Sequence, residues 1–170
     1  ICWQFFANNL TAITGVVKSH AYLVKKVDFR LSILPLVKIM SSTTPHVFLI
    51  AIAILLAAYQ GYWPTLYTLQ IFYYYAACVL LLLAVGWITS STSIFVKDVN
   101  NLVALVVQFG FWLTPIFWNL KTIPEKYHWI VNLNPMTYLV TGYRDSITSS
   151  AYFWDKPVET IVFWTTVSVL

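Results

Sequence analysis

Polar and apolar positions divide the chain into long uncharged tracts. Between Lys38 and Lys97 there is no Asp, Glu, Lys or Arg. That leaves room for two helices of about 20 residues each, the length a bilayer core of about 30 Å requires, plus a connection. The pattern predicts a transmembrane hairpin with spans over 34–59 and 66–95. Its turn falls at Gln60-Gly61-Tyr62-Trp63-Pro64-Thr65, where glycine and proline break helices and aromatic rings suit a membrane interface. A third uncharged tract, Val99 to Leu120, predicts a span over 99–118 that closes among Trp112, Phe117 and Trp118. Residues 1–17 are uncharged as well and read as the end of an earlier membrane helix, while 158–170 reads as the start of a last one.

Composition narrows the class. The 170 residues are 59% hydrophobic, 18% aromatic and 9% charged, against about 25% charged for a soluble globular domain. With a mean hydropathy of +0.73, soluble, disordered and collagen-like classes fall away. An all-α integral membrane protein remains, a polytopic helical bundle forming a single transmembrane domain over 1–170, with no feature of nucleic-acid binding. The first residue is Ile1, no basic leader or cleavage site follows, and the final apolar run stops without a flank. Both ends are therefore expected to continue into a longer protein. Cys2 and Cys78 stand far apart in apolar segments, which argues against a disulfide framework or a zinc cluster.

Cationic residues set the orientation. Lys18, Lys25, Lys26, Arg30, Lys38 and Lys97 collect on one side, which should be cytoplasmic, and Lys121, Lys126, Arg144 and Lys156 are mixed with acids on the other. The outer segment 119–157 is unusual. Its uncharged stretch Tyr127 to Tyr143 is interrupted by Asn132, Asn134-Pro135 and Gly142, and a straight span there would leave freed backbone groups in lipid. Two short re-entrant helices fit better than an extra span, the first from near Pro124 and the second from near Pro135 with Asn134 as its N-cap.

Little chemistry accompanies this map. None of the five glycines opens a Gly-Lys-Ser/Thr phosphate loop, so no nucleotide is expected on this chain. His20, His46 and His128 lie in separate segments without a metal-binding pattern. His46, after Pro45 inside a span, is a functional candidate as an intramembrane ionisable group, against the plainer reading of a neutral imidazole bonded to a neighbouring helix. Ser41-Ser42-Thr43-Thr44 lacks a base and an orienting group, and intrahelical bonding is its expected use. Phe109, Trp112 and Ile116 recur at helical spacing beside Gln108, a face expected to look into the bundle, suited either to helix packing or to sugar rings.

Several segments together resemble a known family. FVKDVNNLVALVVQFGFWLTPIFW (Phe95 to Trp118), IPEKYHWIVNLNPMTYLVTGYRDSI (Ile123 to Ile147) and NNLTAITGVVKSHAYLVKKVDFRLSILPL (Asn8 to Leu36) resemble the permease subunit of type-2 ABC transporters that export cell-surface polysaccharides. FWNLKTIPEKYHWIVNLNPMTYLVTGYRDS and AYFWDKPVETIVFW look most like the branch that exports wall teichoic acid in Gram-positive bacteria, with O-antigen and capsule exporters as close relatives. The resemblance implies a homodimer of six-span permeases in the bacterial cell membrane, each docked on an ABC ATPase that binds ATP and magnesium. Two ATPase copies would drive a lipid-linked, undecaprenyl-pyrophosphate-borne polymer outward.

The resemblance also assigns roles. The cytoplasmic loop 18–33 would hold a coupling helix, about Val24 to Leu34, with Lys25, Lys26, Val27 and Arg30 toward the ATPase or the lipid pyrophosphate. Phe109, Trp112 and Phe117 would contact the passing polymer. Asn134, Pro135, Tyr143, Arg144 and Asp145 would belong to an external gate within 119–157. The N-terminal amphipathic helix, first span and most of the last span of such a permease have no counterpart here. Readings of other classes are a polyprenyl-phosphate sugar transferase, an assembly protein, or an exporter of small lipids. The six scattered acids, Asp28, Asp98, Glu125, Asp145, Asp155 and Glu159, speak against the transferase.

Overall fold

The computed structural model of the chain describes residues 1–19, 32–118, 124, 126, 128–148 and 151–170. Among them run seven α-helices: α1 (Cys2–Ser19), α2 (Ile33–Tyr59), α3 (Gln70–Phe95), α4 (Val99–Leu113), α5 (His128–Asn132), α6 (Pro135–Thr148) and α7 (Pro157–Val169). Short 3₁₀ turns lie at Leu66–Leu69 and Phe153–Asp155, and no strand occurs among the described residues. The chain is thus all-α. Two segments, Ile33–Tyr59 and Leu66–Phe95, are long and apolar enough to cross a membrane.

The turn between them has a clear local cause. Gly61 adopts φ of 94°, a left-handed conformation that glycine takes without a Cβ penalty. This lets the Tyr62 amide donate to the Ala57 carbonyl (2.9 Å) and the Gly61 amide to that of Ala58 (3.0 Å). The two bonds satisfy carbonyls that the end of α2 leaves free, the Schellman arrangement. The third uncharged tract behaves differently. α4 is 15 residues long, about 22 Å at the helical rise, and stops where Pro115 forces Thr114 into an extended conformation (φ −88°, ψ 138°). Residues 114–118 continue without helix.

α1 occupies the centre, packed on α2, α3 and α4. Its contact with α3 is close because Gly86 has no side chain: a Cβ there would stand 2.9 Å from Ile13 Cγ2. Hydroxyl bonds reinforce it, with Ser93 Oγ donating to the Thr14 carbonyl (2.7 Å) and Thr14 Oγ1 to Thr89 Oγ1 (3.1 Å). Small residues that admit close backbones and interhelical hydrogen bonds hold helices together where lipid removes the hydrophobic drive. Ser42 Oγ on α2 donates to Asn9 Oδ1 on α1 (2.6 Å). The thiols of Cys2 and Cys78, distant in sequence, meet in the core without a covalent bridge.

Candidate functional site

α6 begins where the sequence breaks its own apolar run. Asn134 Oδ1 accepts the Met136 amide (3.0 Å), and Pro135 fills the first helical position, where its missing N–H is no loss. The same asparagine donates through Nδ2 to Thr114 Oγ1 (3.0 Å), so the cap of α6 is tied to the end of α4.

One residue pair further along fixes the rest of the helix. Arg144 Nη2 donates to the carbonyls of Pro115 (2.7 Å) and Ile116 (3.1 Å). These acceptors lie in the non-helical stretch after α4, and a guanidinium gives them charge-assisted bonds. Asp145 forms an ion pair with Lys156 at the entrance to α7. Arg144 and Asp145 therefore clamp α6 to two different elements. Arg144 also lines a cavity of about 200 Å³ with Cys2, Ile50, Ile116, Tyr143 and Ile147.

A buried contact of α6 with α2 is polar. Tyr143 Oη lies 3.1 Å from His46 Nε2, and His46 sits at the midpoint of α2. The imidazole is buried between Phe5 (ring centroids 4.2 Å apart) and Tyr75 (5.6 Å). Tyr75 Oη in turn shares a 2.6 Å bond with Thr43 Oγ1. His46 thus has a hydroxyl partner on a neighbouring helix, the plainer of the two uses open to it. One turn of α6 earlier, Tyr138 Oη meets Tyr73 Oη (3.1 Å) and Thr160 Oγ1 (3.2 Å). Gly142 lies under the Tyr74 ring, where a Cβ would fall 2.2 Å from Cε1.

The aromatic residues of α4 point elsewhere. Phe109 and Trp112 are 66% and 70% exposed, and Phe117 is 80% exposed, leaning on Phe111. They face away from the chain's own core, contrary to the inward face expected from spacing. Phe109 lines a groove of about 500 Å³ with Leu105, Val106, Leu113, Val131 and Asn134. Trp112 lines another with Gln4, Asn8, Thr11 and Gln108. Ile116 shares neither groove, because the helix that would have aligned it ends at Leu113. Lys25, Lys26, Val27 and Arg30 lie outside the described residues.

Sequence reasoning missed the partners that make this arrangement: Thr114 for Asn134, the two carbonyls for Arg144, and Gln70, which bonds the Ala151 carbonyl and the Phe153 amide. The only visible signal for Gln70 was an amide side chain at the mouth of an apolar tract.

Comparison with known proteins agrees with this architecture. Residues 1–148 match the ABC-2 type transporter family. Similar proteins include two forms of the O-antigen export system permease protein RfbA of Klebsiella pneumoniae, each 28% identical over 144 residues, which is 84% of this chain and 56% of theirs. RfbA of Myxococcus xanthus is 22% identical over 144 residues, again 84% of this chain and 55% of that one. The chain spans about half the length of the curated relatives it matches. With most of its length matched and its helices packed as a membrane bundle, the chain belongs to the ABC-2 type transporter family.

Proposed function

We propose that this chain is part of the membrane subunit of an ATP-driven exporter that moves a lipid-linked polysaccharide of the O-antigen kind to the outer side of a bacterial cell membrane. The observation that carries this reading is the family match over residues 1–148, together with relatives that are all O-antigen export permeases. Teichoic acid, favoured by the resemblance of single segments, becomes the second reading, and the Gram-positive placement rests on that resemblance alone. ATP and magnesium belong to a separate ABC ATPase, two copies serving a permease dimer, with Lys25, Lys26, Val27 and Arg30 at the coupling contact.

The physical task is consistent with the bundle. A charge at the centre of a bilayer costs about 2.5–3.5 kcal/mol or more, so a pyrophosphate-linked glycan needs a protein-lined route. Phe109, Trp112 and Phe117, exposed on this chain, would line that route where it runs between this bundle and a second copy or a further span. The external gate reading of α6 is supported by its contacts. Its start meets Thr114 at the end of α4, Tyr143 in its second half meets His46 halfway along α2, and Asp145 two residues on meets Lys156. With the basic segment on the cytoplasmic side, the contact of its start with the end of α4 supports reading α6 as a re-entrant helix entered from the outer face.

The deciding experiment is conditional depletion in the host, with quantification of glycans at the surface and lipid-linked glycans inside. Loss of a surface O-antigen-type glycan with accumulation of its lipid-linked form is the expected result. The same pattern for a phosphate-rich wall polymer selects the teichoic acid reading, and no change in either overturns export.

A further inference from the structure

The connection between α6 and α7 is held against the outer end of α3 by one buried side chain. Gln70 Nε2 donates to the Ala151 carbonyl (3.2 Å) and Gln70 Oε1 accepts the Phe153 amide (2.7 Å). The clamp sits in the chain's interior, where an amide is retained only if its bonds are made. What it positions is a stack of three rings. Tyr152 lies face to face with Tyr67 from the 3₁₀ turn before α3 (4.0 Å, 21°) and with Trp154 (4.3 Å, 13°). Phe153 stacks on Tyr73 (4.5 Å) and meets Trp154 in a T-shaped contact (4.8 Å, 71°). Trp154 caps the stack and is 59% exposed, next to the exposed carboxylate of Asp155, which accepts the Tyr152 amide (2.9 Å).

We propose that this Tyr67–Tyr152–Trp154 stack is an exit-side docking platform for a sugar ring, bound on the open face of Trp154 with Asp155 as hydroxyl acceptor. The inference rests on the export of a glycan. The face of an indole is electron-rich and receives the C–H groups on one side of a pyranose. A few polar groups at the rim of an apolar surface then fix orientation. Membrane-belt aromatics act as individual rings whose polar edges reach the headgroups. Here the faces of Tyr152 are consumed by its neighbours, and Trp154, held by Tyr152 and Phe153, keeps more than half of its surface open to a ligand. The platform lies on the outer side, because Gln70 opens α3 directly after the uncharged hairpin turn, opposite the basic segment.

The test uses the full-length permease in nanodiscs and a panel of mannan, galactan and glucan hexasaccharides, with binding followed by saturation-transfer NMR. At least one sugar should bind weakly, Trp154→Ala should weaken it at least tenfold, and Trp154→Phe should restore most of it. Tyr152→Ala, which removes the support under Trp154, should behave like Trp154→Ala. Because Trp154 is exposed, thermal unfolding of the two Trp154 variants should match that of the parent, which separates lost binding from lost folding. If Trp154→Ala leaves sugar binding unchanged and instead lowers quenching by brominated lipids, the ring is a lipid anchor and the platform is refuted. Absence of any sugar binding while the assembled transporter still delivers glycan outward also refutes the platform and leaves the export reading standing. Unchanged glycan delivery when the protein is depleted removes both.

Discussion

α3 buries Gln70, Ala77, Cys78, Leu82, Gly86, Ser90 and Ser93 inside the chain, whereas α2, the other arm of the same hairpin, leaves Val47, Phe48, Leu55 and Leu56 exposed. Both arms are apolar enough to span a membrane. What separates them is the distribution of small and hydroxyl-bearing residues. Gly86 lets Ile13 approach, Ser93 reaches the Thr14 carbonyl, and Cys78 meets Cys2. Past His46, α2 has no glycine, serine, threonine or cysteine, only Ala51, Ala53, Ala57 and Ala58 among bulky apolar groups, which lipid solvates as well as protein does. Apolarity therefore tells that a helix enters the membrane, and small or polar positions tell which face meets protein.

The sharpest way to break this comparison is at the tightest approach to α3. Gly142→Leu forces a side chain into the Tyr74 ring and should destabilise by about 3 kcal/mol, the upper end for overpacking, lowering the thermal midpoint and the monodisperse yield of the purified permease. Leu55→Phe on α2 should change neither. Equal effects from the two would remove the distinction between the arms.

Arg144→Met comes next. Losing charged hydrogen bonds to the Pro115 and Ile116 carbonyls should cost about 1.5–3 kcal/mol, read as a lower unfolding temperature and faster proteolysis of the segment after α4. Ser93→Ala is smaller, about 0.6 kcal/mol for an interhelical bond within a membrane. Ser91→Ala, on the exposed side of the same helix, supplies the matched comparison in the same melt. The smallest effect belongs to Leu56→Ala, within about 0.5 kcal/mol for an exposed position. A loss above about 1 kcal/mol in the assembled transporter, absent from the isolated permease, would place α2 against a second subunit.

Legibility in the sequence followed the range of the interactions. The hairpin was readable because its causes are local: an uncharged tract, a glycine that takes positive φ, and a proline beyond it. The start of α6 was readable for the same reason, since Asn134 and Pro135 cap and open it unaided. The length of α4 was misjudged because hydropathy continues through Phe117 while Pro115 has already ended the helix. The outward turn of Phe109 and Trp112 was hidden as well, since a period of 3.6 identifies a face without saying what covers it. His46 with Tyr143, Gln70 with Ala151 and Phe153, and Arg144 with its two carbonyls join residues far apart in sequence. No composition rule pairs them.

The contacts of α6 also fix an order of assembly. At 14 residues, about 21 Å long, it is too short to enter a bilayer as an independent span. Its anchors are His46 on α2, Tyr74 on α3, the stretch after α4, and Lys156 at the start of α7. Three of these four emerge from the ribosome before α6 and the last after it. The full set of contacts of α6 is therefore available only once the entrance to α7 has been synthesised, which makes its complete docking a late step of assembly.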